Sequence, residues 1–439
     1  MSAGATGADD NPLTRDPFDV AVIGAGPGGI GAACAAARLG ARTIVVDRRG
    51  FPGGVAAACC CPYLMGFAHG GRQIVGGIAD DLVRELDRMG HAAFIQEPSA
   101  TPEPRPIGDR PLLGNVITSV EGVRVAANRL LARASCERLL YARLIGATVE
   151  DGRLTAAVVD AADGPMMIRA KAFVDATGDA HLVARAGGHV TAGPVEDTMT
   201  KTILLRVGGV NGFHRPQVEE VFYRLVEQGK SPFPAQDRFM GFATLNPGEV
   251  LLNFTLTAGD GLSSAELTRM DGELREQALV TVDWFRRHIP SFVDCFLVDT
   301  ATELGVRAGR CIVGKETITC EDVDRDVPVP EPVALGTRWY GGHGLDGFTS
   351  SWAKSNAGIR AVPWGALLSA SYGNVVAAGR AISAQARVID TFRLMSRCLA
   401  IGQAAGVTAA LAARSEGDTN VVSYGAVREA LQGQGAILQ

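Results

Sequence analysis

Apolar and polar positions alternate in three textures along the chain: a sharply patterned head, a looser middle and a sharply patterned tail. From Phe18, Asp19-Val20-Ala21-Val22-Ile23 reads as a short buried strand, Gly26 to Leu39 as an Ala-rich helix, and Thr43-Ile44-Val45-Val46 as a second buried strand ending at Asp47. Apolar run, helix and apolar run at these lengths make a β-α-β unit with parallel strands. Ile78, Leu82, Val83, Leu86 and Met89 recur at helical spacing, and a second amphipathic helix is expected over Val123 to Tyr141. Strand-like runs follow at Ala147 to Glu150, Leu154 to Asp160 and Met166 to Asp175, with Asp151-Gly152 as a hairpin turn between the first two. Beyond about Val190 the strands lengthen, at Thr202 to Val207 and Val250 to Leu256. A long helix then opens on the capping box Ser263-Ser264-Ala265-Glu266, and its stripe from Leu267 to Ile289 is ended by Pro290. Near Asn374 the buried-strand texture returns as Val375-Val376-Ala377-Ala378-Gly379, followed by an Ala-rich helix through about Ala413.

Composition narrows the classes. With 439 residues, 47% apolar and 20% charged, the chain can bury a large core and is not disordered. Forty-two basic against 47 acidic residues leave a net charge of −5, so no basic field exists to hold nucleic acid or an anionic membrane surface. No run of 18 apolar residues occurs, and the Gly-, Ala- and Asp-rich start lacks a signal-like pattern, which predicts no membrane partner and a cytoplasmic location. Residues 1–16 have no periodicity and are expected to be a flexible tail. Nine cysteines, an odd number, predict reduced thiols rather than a disulfide framework, and neither they nor the histidines have metal-ligand spacing, so no metal site is expected.

The 54 glycines fall in clusters. The first, Gly24-Ala25-Gly26-Pro27-Gly28-Gly29, lies between strand and helix, with Asp47 at the end of the next strand. Glycines here allow a tight turn, leave room for a pyrophosphate and let the helix approach the strand, and the helix N-terminus favours the negative charge. Asp47 is placed to accept from the adenosine ribose. Such a cluster alone could be a plain turn; strand, helix and acid together predict a dinucleotide site of the Rossmann type.

Other segments show which dinucleotide. Arg48-Arg49-Gly50-Phe51-Pro52-Gly53-Gly54 follows the acid, and Ala176-Thr177-Gly178-Asp179-Ala180 closes the strand after the hairpin. Toward the tail come Gly379-Arg380-Ala381-Ile382-Ser383, Arg393-Leu394-Met395-Ser396-Arg397-Cys398 and Gly402-Gln403-Ala404-Ala405-Gly406. These segments, with Arg307, Arg310, Gly314 and Thr319-Cys320-Glu321-Asp322, resemble the FAD-dependent oxidoreductase family of the glutathione-reductase-like flavoprotein superfamily. The resemblance implies an α/β fold: a Rossmann-type FAD-binding domain assembled from both chain ends, residues 17–190 and 361–439, with an α+β substrate domain, residues 191–360, inserted between them. It implies noncovalent FAD held by Gly24, Gly26, Pro27, Gly28, Gly29, Asp47, Arg48, Gly53, Gly54, Val149, Thr177, Gly178, Asp179, Gly379, Arg380, Met395 and Ser396. The helix after Arg393 would point its positive end at the flavin pyrimidine edge.

The middle carries no second strand, Gly-rich loop and helix; Gly341-Gly342-His343-Gly344 is read as lacking both the strand before it and the helix after it, so a dedicated NAD(P) domain is not expected. The chain departs from the family at two places. Ala384-Gln385-Ala386-Arg387 stands where relatives carry a histidine, and Val362-Pro363-Trp364-Gly365 lacks an arginine that could hold a substrate carboxylate, which argues against such substrates. His343 aligns with a family histidine: it either removes a substrate proton as hydride leaves or is a hydrogen-bonded loop residue. Arg393 would contact flavin or substrate, or pair with a carboxylate. Cys61 occupies the second position of the disulfide-reductase cysteine pair, but Ala56 occupies the first, so Cys59-Cys60-Cys61 is left with relay, covalent or packing roles. The expected function is removal of a hydride from a small organic substrate to flavin N5. A flavin monooxygenase using NAD(P)H and oxygen, or a flavin-binding protein without catalysis, are the alternatives; substrate, electron acceptor and oligomeric state are not specified by these residues.

Overall fold

The computed structural model describes residues 16–95, 112, 114–233, 235–344 and 346–439. Apart from Asp16, the expected tail lies outside them.

Strand β1 (Phe18–Ile23), helix α1 (Pro27–Arg38) and β2 (Thr43–Val46) form the first β-α-β unit. Pro27 takes the first helical position, where its missing N–H is no loss, and Arg38 complements the helix dipole at the other end. Helix α2 (Ile78–Arg88) buries Ile78, Leu82, Val83 and Leu86 as their spacing requires. Helix α3 (Val120–Arg133) is capped by Ser119, which accepts from the Gly122 amide, and it ends well before Tyr141. Left-handed Ser135 (φ 59°) breaks it, and Glu137–Leu139 becomes β3, pairing with β2. The apolar spacing after Arg133 is thus that of a short strand, not of more helix.

Strands β4 (Arg143–Glu150), β5 (Arg153–Ala161) and β6 (Gly164–Asp175) form an antiparallel meander. Its first turn places Asp151 and Gly152 at positive φ (48° and 73°), the conformation that tight hairpins favour. The C-terminal half of β6 runs parallel to β1, with Phe18 opposite Ala170 and Ile23 opposite Asp175.

The middle segment builds a separate sheet. Strand β7 (Leu205–Gly208), helix α4 (Arg215–Glu227), β8 (Gly241–Ala243), β9 (Val250–Leu252), helix α5 (Ser264–His288) and β10 (Phe296–Thr300) give an antiparallel order β8-β9-β7-β10. The strands expected from Thr202 and to Leu256 are shorter because threonine side chains replace the ladder. The hydroxyl of Thr255 accepts from the Ile203 amide and donates to the Ile203 carbonyl, both at 2.8 Å. Helix α5 is capped by Ser263, as its capping-box sequence predicts.

Strand β11 (Arg310–Ile312) precedes the long hairpin β12 (Pro332–Gly342) and β13 (Thr349–Pro363). The Gly341 to Gly344 segment therefore does come after a strand, which Gly336 and Arg338 disguise in the sequence. The element on its C-terminal side is the strand β13 and not a helix, so no second nucleotide-binding unit forms there. Strand β14 (Val375–Ala377) returns to pair with β6, helix α6 (Met395–Ala413) crosses behind the parallel strands, and α7 (Tyr424–Gly433) closes the chain. The parallel order is β3-β2-β1-β6-β14, so head and tail share one sheet.

The larger core draws on residues 18–199 and 308–438 and includes Val333, Leu335, Tyr340 and Val362 of the β12–β13 hairpin. A second core lies between Leu205 and Cys295. Among the described residues no helix is long and apolar enough to cross a membrane.

Candidate active site

The glycine-rich loop is shaped by backbone contacts. Gly24 sits at φ 106°, which a side chain would strain, and its amide donates to Val46 O at 2.7 Å. The Asp47 carboxylate accepts from the Ala25 amide at 2.7 Å and the Arg49 amide at 2.9 Å, tying the acid to the loop. A Cβ on Gly28 would stand 2.9 Å from the Gly379 amide nitrogen, and one on Gly29 would collide with Gly24 O. Gly53 donates to Ala25 O at 2.8 Å, and a Cβ on Gly54 would press on the Gly26 Cα at 2.7 Å. Gly26 alone in the loop has room: a Cβ there would meet nothing closer than the Gly54 Cα at 3.8 Å. No side chain caps α1, and no acid lies in its first turn.

The Ala176-Thr177-Gly178-Asp179 turn hangs on Asp175, fully buried at the end of β6. Its carboxylate accepts from the Thr177 hydroxyl at 2.7 Å and from the amides of Thr177 and Val183. Burial raises its proton affinity against these donors. Asp179 pairs with Arg380 at 2.9 Å, across the gap between the head turn and the tail turn. Among the described residues, Asp179 Oδ1 and Arg380 Nε are buried with no hydrogen-bond partner. Ser396 donates to Met65 O, and Met395 and Ser396 begin α6, which has neither a capping side chain nor an acid in its first turn.

Two of the expected cofactor residues are placed otherwise. Val149 is exposed beside the β4–β5 turn and pairs with Leu154, which is bonded to Asn374 at the start of β14. That is the end of the sheet opposite the glycine loop, so Val149 is corrected out of the cradle. The residues beside Asp47 are Leu139 to Ala142, whose backbones bond to Asp47 and Arg49. Arg48 turns to Glu303, which also holds Arg49 at 2.8 Å.

His343, Arg393 and Cys61, far apart in sequence, converge around Arg307. Arg393 is fixed by Asp390 at 2.6 Å, and the other Asp390 oxygen accepts from the Gly342 amide at 3.0 Å. His343 follows at left-handed φ (59°); its carbonyl accepts from the Thr200 amide and its ring stands edge-on to Phe348 at 4.8 Å. Among the described residues its ring nitrogens have no hydrogen-bond partner. Burial, then the charges of Arg307, Arg393 and Arg238, hold its proton affinity well below 6.5, so the imidazole is neutral at physiological pH. Burial raises the Cys61 thiol against the pull of the Tyr63 amide, Arg307 and Arg393, keeping it protonated. Cys59 donates to Leu304 O and Cys60 packs on Ile203 and Met270, and all nine cysteines are free thiols.

Arg307 and His343 line a small cleft, partly open to solvent, with Thr200, Asn253, Met240 and Phe348. Arg307 was legible only as part of an arginine-rich segment, and Thr200 and Asn253 carry no motif at all. The departures from the family pattern lie elsewhere. A Cβ on Gly365 would meet Glu316, Trp364 donates to Thr408 on α6, and Arg387 pairs with Asp197 at 2.7 Å. Among the described residues no group of three His, Cys, Asp or Glu could hold a metal.

The profile of the family described as FAD dependent oxidoreductase matches residues 19–431. A geranylgeranyl bacteriochlorophyll reductase-like protein from Thermoplasma acidophilum has a similar fold, with a TM-score of 0.50, 13% identity, and coverage of 95% of this chain and 83% of that one. BexE, described in connection with oxidation during BE-7585A biosynthesis, matches with a TM-score of 0.50 and 13% identity over 97% of this chain and 70% of its own.

Proposed function

Because the chain belongs to the FAD-dependent oxidoreductase family, we propose that it oxidises a small organic molecule by two electrons in the cleft of His343 and Arg307, with FAD lying along the head and tail turns. The residues fit that cofactor. Gly26 leaves open the one place in the loop where a methyl group would meet no protein atom in close contact, and Asp179 Oδ1 and Arg380 Nε are buried polar atoms awaiting partners. The uncapped N-termini of α1 and α6 favour negative charge. Gly24 to Gly29 would hold the pyrophosphate, Asp47 the ribose, and Asp179, Arg380, Met395 and Ser396 the remainder. When bound, FAD supplies a two-electron acceptor.

His343 supplies the base. Neutral, lining the cleft and with no hydrogen-bond partner on its ring nitrogens among the described residues, it can take the proton of a substrate O–H or N–H as the adjacent C–H bond is broken. Arg393, held by Asp390 next to the His343 turn, positions that end of the cleft, and burial, Arg307 and then Arg393 keep the imidazole unprotonated. Cys61 fills the wall as a neutral thiol.

The observation that carries this reading is the unpartnered, neutral His343 in the same cleft as Arg307. His343→Ala should keep its FAD but slow anaerobic reduction of the flavin by substrate roughly 10²- to 10⁴-fold; an unchanged rate removes His343 from the chemistry. Oxidation should proceed without NAD(P)H. Coupled consumption of reduced pyridine nucleotide and oxygen, with oxygen found in product, would instead establish a monooxygenase.

A further inference from the structure

Two arginines near this cleft are answered by acids, Arg393 by Asp390 at 2.6 Å and Arg380 by Asp179 at 2.9 Å. Arg307 is not. It is only 9% exposed, donates to Thr200 O and reaches Asn253 Oδ1 at 3.4 Å, and has no carboxylate partner among the described residues. The acid within its electrostatic reach, Asp390, is already engaged by Arg393 and the Gly342 amide. Lys201, bonded to Thr198 at 2.8 Å, lies within reach of Asp260 and Asp179. A guanidinium stays charged at neutral pH, and burying it without a counter-charge is strongly unfavourable unless a ligand provides one.

Asn253 supplies a second donor in the same wall. Its Oδ1 accepts from the Thr202 hydroxyl at 2.9 Å and from Arg307, which fixes the amide orientation and leaves its NH2 without a partner among the described residues. Met240 and Phe348 add apolar surface to the cleft.

We infer that the cleft recognises a small carboxylate, its oxygens taken by the Arg307 guanidinium and the Asn253 amide and its apolar body lying against Met240 and Phe348. This names the substrate class of the proposed oxidation and rests on reading that cleft as the reacting site. The planar fork of Arg307 matches a carboxylate.

The test titrates FAD-loaded protein with butyrate, butyramide and butyl phosphate, following heat and perturbation of the flavin absorbance. Butyrate should bind about ten- to a hundredfold more tightly than butyramide, the range of a charge-assisted hydrogen bond. Arg307→Gln should abolish that preference and Arg307→Lys keep part of it. If Arg307→Gln does not fold, Asn253→Asp, which sets a negative charge in the anion slot, should lose butyrate while butyramide is unaffected. Equal binding of acid and amide, an unchanged preference in Arg307→Gln or Asn253→Asp, or preferential binding of butyl phosphate would overturn the inference. None of these readouts needs turnover. Carboxylates that bind as expected while none that carries an oxidisable C–H bond reduces the flavin would overturn the oxidation reading and leave the anion site standing.

Discussion

Between α1 and α6 the polypeptide touches itself almost without side chains, whereas between α4, α5 and the four-stranded sheet aromatic rings fill the space. A Cβ on Gly402 would collide with Gly28 O, on Gly406 with Ala32 O, and on Gly31 with Leu399 O, so the two helices meet backbone to backbone. In the middle unit Phe254 lies 4.9 Å from Phe285 edge to face, 5.5 Å from Phe222 and 5.7 Å from Phe239. The first kind of packing tolerates no added atom and fixes where the loop, the tail turn and α6 sit relative to one another. The second depends on total volume and constrains position less. A cradle that must present several backbone groups to one ligand suits the first kind of packing.

The contrast can be broken at either end. Phe254→Ala should have the largest effect, a loss of about 3–5 kcal/mol in denaturant unfolding for an emptied ring site, with FAD per folded chain unchanged. Equal loss of FAD would show that the two cores are not independent. Gly402→Ala comes next. Alanine is the better helix former by about 1 kcal/mol, so free space at this position would give a more stable protein. The contact with Gly28 O predicts the opposite, a loss of about 1–3 kcal/mol typical of overpacking, together with weakened FAD binding because α1 and α6 separate.

The smallest effect concerns the joint between the two regions, where Glu303 holds Arg48 and Arg49 and its amide donates to Ala58 O. Burial raises the Glu303 carboxyl, but the hydrogen bond from Arg49 and the charges of Arg49 and Arg48 outweigh it and hold it below its ordinary 4.5. A lowered folded value means that the joint contributes stability above about pH 4.5 and loses it as pH falls through that lowered value. Glu303→Gln should therefore flatten acid unfolding in this range; superimposable pH profiles would show the joint to be inert.

The same contrast governs what could be read from sequence. Gly24, Gly28, Gly29 and Gly402 were legible because backbone contact there leaves no room for a side chain, and the letter itself reports the geometry. The middle unit was legible only in part. Threonine hydroxyls shorten its strands, Gly336 and Arg338 hide β12, and nothing in an aromatic residue names its partner. His343, Arg393 and Cys61 were visible singly, but their meeting at Arg307 depends on Thr200 and Asn253, which fold toward them from segments without a motif. Val149 was misplaced because it lies at the end of β4 away from Asp47, whereas Ala142, just before β4, bonds to Asp47.

Gly26 tests the central claim, that head and tail enclose one FAD, because a Cβ there would meet no protein atom closer than the Gly54 Cα at 3.8 Å. Gly26→Val should give protein with wild-type circular dichroism and an unaltered apo melting temperature that stays colourless when FAD is titrated in. A yellow Gly26→Val protein with wild-type FAD affinity would contradict the account.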